Sequence, residues 1–303
     1  MLPSVSVVVP SHARPLLMTE AVQSVFRQVG TGPIEVIVVF DDAEPFTPAI
    51  EIPDGCSLRV MVNSRARGLA GARNTGILAA SHEWVAFLDD DDTWYEHKLK
   101  TQFAALNPHD GALMCVSGMD VDNGHTIIRR PLAGSEITMS QLVTDRMAAV
   151  HSSSILARRS AFVGELGLID EALPNSFGED YDILLRAARL APIVAVPEPL
   201  ILVAWKGQSL FARNWTVIAE ALAYLLRKHP EFRADRAGMA RIEGQIAFAK
   251  AGLHEKREAR RWGRQAVRHR PAEVRGWLAL VMTSGWPSAE AVSRFAARFG
   301  RGL

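Results

Sequence analysis

Residues 83–94 read "EWVAFLDDDDTW", an apolar run that ends in four consecutive aspartates. A turn closes on one or two Asp, and like charges side by side repel, so four in a row ask for a reason beyond chain reversal. The apolar part, Trp84 to Leu88, has the length and bulk of a strand buried on both faces. A strand of that kind with acids at its carboxyl end belongs to an open α/β sheet, where ligands gather at the carboxyl ends of strands.

Working towards the N-terminus, the same design recurs. "VSVVVP" (5–10) is a β-branched run closed by Pro, and "LLMTEAVQSVFRQ" (16–28) has helical apolar spacing. "IEVIVVFDD" (34–42) is a second strand ending in acids, and "LRVMVN" (58–63) a third. "GLAGARNTGILAAS" (68–81) opens on glycines and continues as a small-residue helix, and "YEHKLKTQFAAL" (95–106) is a helix with Lys between apolar positions. Strand, helix, strand, strand, helix, strand predicts a mostly parallel sheet flanked by helices. Pro10 to His12, Asp41 with Asp42, and Asp89 to Asp92 then fall at strand carboxyl ends and converge on one edge. Asp92 is expected to cap the helix beginning near Trp94.

The stretch 110–210 is less regular. "ALMCVSGMDVD" (112–122) and "TIIRRP" (126–131) flank Asn123-Gly124 as a candidate hairpin. "HSSSILARRSAFVGELG" (151–167) reads as a strand and a short helix, "FGEDYDILLRAARLA" (177–191) as a helix led by acids, and "PIVAVPEPLILVAW" (192–205) as a strand with Pro breaks. From about residue 211 the chain is Ala- and Arg-rich with helical periodicity throughout, including "SAEAVSRFAARFG" (288–300). It resembles tetratricopeptide hairpins without a clean repeat.

Composition bounds the function. Of 303 residues, 48% are hydrophobic and 22% charged, which suits a soluble chain with a core. The net charge of +1 gives no overall pull on nucleic acid. Two cysteines, Cys56 and Cys115, are too few for a thiolate metal site or disulfide scaffold and fit a reducing compartment. With no secretory leader and no apolar run of 18 residues, the expectation is a cytoplasmic protein, open to peripheral contact with the inner face of the membrane. The Arg-rich helices at 255–275, interspersed with Glu, read as a solvated face.

The ordered set "VSVVVPSHARP", "IEVIVVFDD", "NSRARGLAGARNTGILAASHEWVAFLDDDDTWYEHKL" and "FGEDYDILLRAARLA" resembles the family 2 glycosyltransferases, nucleotide-sugar enzymes of the GT-A fold. The resemblance covers residues 4–210. It implies a Rossmann-like transferase domain at 1–210, with a nucleotide-sugar half (1–110) and an acceptor half (111–210), while the helical periodicity beyond it marks 211–303 as an α-helical appendage. The family's Asp-X-Asp motif falls on Asp89, Asp90 and Asp91, with Asp91 and Asp89 implied as ligands of a divalent cation, Mn2+ or Mg2+. Pro10, Ser11, His12, Arg14, Asp41, Asp42, Gly68, Arg73, Asp89 and Asp90 are implied in nucleotide-sugar binding. Asp42 is followed by Ala43 and Glu44 where the family has Gly-Ser, so selectivity for the base does not carry over. Glu179 and Asp180 match the Glu-Asp pair, with Asp180 the general base for an inverting transfer to an acceptor hydroxyl and Asp182 a solvent-facing acid of the first turn. Trp205, Lys206 and His151 are weaker candidates for acceptor or diphosphate contact, with Ser209 beside them. The appendage is a candidate homodimer surface.

Two other functions compete. A nucleotidyltransferase would carry a Gly-rich basic loop after the first strand, and "VVVPSHARP" has no glycine there. A non-catalytic protein working through its helical tail has no use for acids at both 89–92 and 179–180.

Overall fold

The structure is a computed structural model that describes residues 3–107, 109, 111–205 and 214–285. Lys206, Ser209 and the segment 288–300 lie outside the described residues. In chain order the elements are β1 (Val5–Ser11), α1 (Pro15–Phe26), β2 (Ile34–Phe40), β3 (Cys56–Val62), α2 (Leu69–Ala79), β4 (Trp84–Phe87), β5 (Thr93–Trp94), α3 (Lys98–Leu106), β6 (Met114–Asp122), β7 (Ile127–Arg130), β8 (Glu136–Ile137) and α4 (Met139–Thr144). There follow β9 (Leu156–Arg158), α5 (Arg159–Val163), α6 (Glu179–Leu190), β10 (Ile193–Ala204), α7 (Trp215–Lys228), α8 (Arg236–Gly252), α9 (Lys256–His269) and α10 (Val274–Met282).

The strands form one sheet in the order β3-β2-β1-β4-β9-β6-β10-β5, with β7 on β6 and β8 on β10. The first four strands are parallel throughout, as expected. Beyond β4 the sheet is mixed: β9 runs antiparallel to both β4 and β6, β6 and β10 are parallel, and β6–β7 is the predicted hairpin. Every residue of β1 and β2 is buried, so their unbroken apolar runs are what a two-sided parallel core requires.

Pro10 marks where β1 parts from β4. The Val8 carbonyl accepts from the Leu88 amide at 3.1 Å, and Pro10 faces the same side two residues on. Its missing N–H falls where the β1–β4 pairing stops. The chain runs outward from β1 to β2 and β3 on one side and to β4 on the other, so this gap is the switch point of the sheet.

The chain divides into two compact units. The first takes residues 1–139, 147–172 and 179–208, and the second takes 140–146, 173–178 and 209–303. In the second, α7 to α10 form the helical succession read from the sequence, with a small core that includes Ala247, Phe248, Ala259 and Ala279. Two short segments from within residues 1–210 group with these helices. No helix of the described residues is long and apolar enough to cross a membrane.

Candidate active site

Three strand ends and one helix start meet at the switch point. After β1, the Ser11 hydroxyl donates to Asp90 Oδ2 at 2.7 Å, and the His12 amide donates to the same oxygen at 3.3 Å. Arg14 pairs with Asp90 and, at 2.6 Å, with Asp91. After β2, Asp41 accepts from Asn63 Nδ2 at 2.7 Å and from the Gly68 amide at 2.8 Å, while its carbonyl lies 2.7 Å from His12 Nδ1. Asp42 pairs with Arg67 at the surface. Pro10, Ser11, His12, Arg14, Asp41, Asp42, Gly68, Asp89 and Asp90 are thus brought to one edge.

The turn into α2 follows from its glycines. Gly68 has φ +108° and hands its amide to Asp41, a conformation that favours glycine. A Cβ on Gly71 would stand 1.7 Å from the Ala66 carbonyl oxygen, so the loop 63–68 folds back tightly on the helix start. Asn74 is spent on the loop 169–171, accepting from the Ile169 amide and donating to Glu171.

Arg73 is 2% exposed. Its guanidinium donates to Asp89 at 2.5 Å and pairs with Glu179, the first residue of α6. One buried cation thereby joins the acid loop after β4 to the helix that carries Asp180. Although burial works the other way, Arg73 and then His151 hold the Asp89 carboxyl below its usual range. Burial pushes the Glu179 carboxyl up. Asp180 sits in the first turn of α6 and accepts from the Tyr181 amide at 2.8 Å.

The four aspartates have four environments. Asp89 is held by Arg73 and by the Ser152 hydroxyl at 3.0 Å, and its amide donates to Ser153 Oγ. Asp90 is 1% exposed and turned into the loop after β1. Asp91 is the most open, and burial followed by repulsion from Asp92 lifts its carboxyl to about 6, with Arg14 opposing. Asp92, expected to cap a helix, does not: Trp94 lies in β5 and α3 begins at Lys98. Instead Asp92 is 2% exposed and accepts from Ser153 Oγ at 2.6 Å and from the Ala204 amide at 3.2 Å. His151 Nδ1 stands 3.2 Å from Asp92, and despite burial its pKa rises to about 9 beside Asp92, Asp89 and Asp180.

A second expectation is corrected at Asp182, which is fully buried and pairs with Arg186 at 2.8 Å rather than facing solvent. Arg186 lies one turn on along the same face and also binds the Leu166 and Leu168 carbonyls, so its charge offsets the acid inside the core. Trp205 stands half exposed at the end of β10, with the Arg130 guanidinium 4.9 Å from its ring centre. Ser152 and Ser153, which the sequence offers together with His151 and Ser154 as a lining of the acceptor pocket, turn their hydroxyls onto Asp89 and Asp92, a role the sequence reading did not assign. The only signal was the unusual run His151-Ser-Ser-Ser ahead of β9.

Among the described residues, Asp89, Asp92 and His151 have ligand-type atoms within 4.8 Å of one another. Asp92 is already committed to Ser153 and Ala204, and Asp89 to Arg73 and Ser152, which leaves Asp91, paired with Arg14 and more open, as the carboxylate with most capacity to spare.

The profile of the family described as "Glycosyl transferase family 2" matches residues 6–163. Among curated proteins, the chain is 30% identical over 141 residues to WfgD of Escherichia coli, a UDP-Glc:alpha-D-GlcNAc-diphosphoundecaprenol beta-1,3-glucosyltransferase, covering 46% of this chain and 54% of that one. It is 32% identical over 200 residues to the succinoglycan biosynthesis protein ExoO of Rhizobium meliloti, covering 61% and 56%. The chain therefore spans little more than half the length of these relatives. Among solved structures, S. aureus TarS 1–349 in complex with UDP-GlcNAc superposes with TM-score 0.60 at 15% identity, over 93% of this chain and 91% of that one. The mannosyltransferase PcManGT of Pyrobaculum calidifontis, in complex with GDP-Man and Mn2+, gives 0.52 at 15% identity over 99% and 81%. These likenesses show the GT-A type of fold.

Proposed function

The chain belongs to glycosyl transferase family 2, and from that premise we propose that it moves a sugar from a nucleoside diphosphate sugar to an acceptor hydroxyl with inversion at the anomeric carbon. The observation that carries the reading is the meeting of Asp89–Asp91 with the start of α6 through Arg73, which sets a donor-side acid cluster beside a candidate base. UDP sugars are the first donors to test, since WfgD is named for UDP-Glc and TarS was solved with UDP-GlcNAc.

In this reading the residues before about 110 hold the donor, and Asp180 takes the acceptor proton. The acceptor oxygen attacks the anomeric carbon, the bond to the diphosphate oxygen breaks, and the proton passes to an Asp180 carboxylate oxygen. An N-terminal first turn favours the ionised carboxylate that this needs. Arg73, spent on Asp89 and Glu179, sets the distance between the two halves of the site rather than reaching for the nucleotide. His151, whose Nδ1 stands 3.2 Å from Asp92 and 3.3 Å from the Ser153 amide, fixes the acid loop from the opposite side.

A divalent cation fits the donor set. Oxygen ligands suit Mn2+ and Mg2+, which need only one or two carboxylates when phosphates complete the shell. Asp91, raised to about 6 by burial and by neighbours of like charge, is a carboxylate whose charge Arg14 alone does not offset. Asp91 and Asp89 would hold the ion, and a bound cation offsets the charge that develops on the leaving diphosphate.

The test is the melting temperature with Mn2+ and each of UDP, GDP and dTDP. A metal-dependent rise with at least one of them is expected. No shift with any, with or without metal, would sink the proposal.

A further inference from the structure

The second compact unit carries a charged surface that takes no part in the site above. Between residues 255 and 270 there are seven Lys or Arg against Glu255 and Glu258, an excess of five positive charges in a chain whose total is +1. The rest of the protein is therefore net negative by four, and the positive charge is concentrated on α9. Such asymmetry within a nearly neutral chain points to an anionic partner for the basic segment.

The structure shows how this charge is arrayed. Arg257, Arg261, Arg264 and Arg268 are all exposed, and at 100° per residue they fall within an arc of about 60°. They span roughly 16 Å along the helix. The other side of α9 is occupied: Ala259, Gly263 and Ala266 are buried, and a Cβ on Gly263 would stand 3.0 Å from the Gly276 carbonyl oxygen of α10. The guanidinium stripe is therefore the face that packing leaves outward. Arg261 pairs with Glu258 at 2.7 Å, while Arg257, Arg264 and Arg268 have no acidic partner among the described residues. The expected solvated face interspersed with Glu holds only at the start of α9: after Glu258 no acid follows within the helix to offset Arg264 and Arg268 at i,i+4 spacing. The neighbouring α10, whose Gly276 would bring a Cβ within 3.1 Å of Ala266 and Val267 of α9, has its own exposed apolar row at helical spacing, Val274, Trp277 and Val281, each at least half exposed. Trp277 Nε1 is satisfied by the Pro271 carbonyl at 2.8 Å, which leaves an indole whose remaining open surface is apolar.

We infer that the α9–α10 surface docks on an anionic lipid bilayer. A straight, outward row of guanidinium groups with an aromatic and valines on the adjoining helix is the composition of an interfacial helix surface, basic for the headgroups and apolar for the acyl boundary. The stripe lines a shallow depression, but the aromatic of α9 beside it is Trp262 alone, partly buried under Arg261 at 5.0 Å, where a single-stranded nucleic acid takes a succession of open rings to stack its bases. Each Arg close to an anionic surface contributes about a fivefold gain in partitioning, so the row of four is sufficient for reversible binding without an anchor.

The experiment uses the full chain and sedimentation with vesicles of phosphatidylcholine alone or with about 30% phosphatidylglycerol. Binding is expected only with the anionic lipid, weakening as salt is raised from 50 to 300 mM. The quadruple variant R257Q/R261Q/R264Q/R268Q is expected to lose at least about 100-fold in partition coefficient, and Trp277→Ala a few fold. The pairs R257Q/R268Q and R261Q/R264Q give intermediate losses if the quadruple variant folds poorly. Absence of binding to phosphatidylglycerol vesicles overturns the inference, as does undiminished binding by all the Arg variants. Equal or tighter retention of single-stranded RNA without vesicle binding also overturns it, since it assigns the stripe to nucleic acid.

Discussion

Asp91 carries the conflict built into the acid loop. Its folded pKa of about 6 lies above the unfolded carboxylate value of about 3.9, so folding favours the protonated form. The stability it contributes is complete below about pH 4 and is lost as pH rises through about 6. With a chelator present, Asp91→Asn is therefore expected to raise the melting temperature at pH 7 and to flatten its decline between about pH 4 and 6. The same variant is expected to lose the Mn2+-dependent shift by UDP. A lower melting temperature at pH 7 would show that the ionised side chain stabilises the protein and that the charge excess is not a cost. For Asp180→Asn the damage falls elsewhere: transfer is expected to drop by at least about 100-fold while UDP binding stays within about twofold, because a general base acts on the acceptor. Turnover close to wild type in that variant would remove Asp180 from the mechanism. At this scale the sequence showed which acids stand at strand and helix ends, because position along a strand is a local property. It did not show that Arg73 is buried between two of them, since Asp89 and Glu179 lie 16 and 106 residues away and only the fold brings them together.

The short turn from His151 to Ser154 is the least conspicuous element and one of the most consequential. Its 3-10 geometry sets Ser152 under Asp89 and Ser153 under Asp92, while the Ser153 carbonyl accepts from Trp94 Nε1 at 2.9 Å. The acid loop is thus held on both sides, by β1 through Ser11 and Arg14 and by this turn. Removing the Ser153 hydroxyl leaves a buried carboxylate short of a donor. Ser153→Ala is expected to cost about 1.5–3 kcal/mol in urea unfolding, the usual range for a hydrogen bond to a charged group. A loss under about 0.5 kcal/mol would mean that water replaces the hydroxyl and that the turn is no clamp. The strands and helices around it were legible because their periods of 2 and 3.6 are written in apolar residues. The turn was not, because three serines have no period and their partners are distant. The expected cap at Asp92 failed for a related reason: capping preferences are local, and a tertiary demand for a buried acceptor overrode them.

Across the whole molecule, the helical region is not a simple extension of the chain after residue 210. The unit containing α7 to α10 also holds residues 140–146 and 173–178. Within it, Arg241 donates to the Val143 carbonyl at 3.1 Å, Thr144 donates to Asp235 at 2.9 Å, and α7 packs on the turn at 174–176. Leu142 and Val143 are buried in this setting. The change in composition near residue 211 was visible in the sequence, but the return of two earlier segments to the later helices was not, since neither segment differs in composition from its surroundings. A chain ending at residue 210 therefore strips the partners from 140–146 and 173–178, and Gly178 leads directly into Glu179 and Asp180. Such a chain is expected to melt at lower temperature, to exchange amide hydrogens faster at 140–146, and to lose kcat by more than it loses UDP affinity. The asymmetry follows from where the damage enters, at the start of α6 on the acceptor side rather than at β1 and β4. If the shortened chain kept both its melting temperature and its kcat, the helices would have no part in holding the base. The acceptor side of the site would then be complete within residues 1–210.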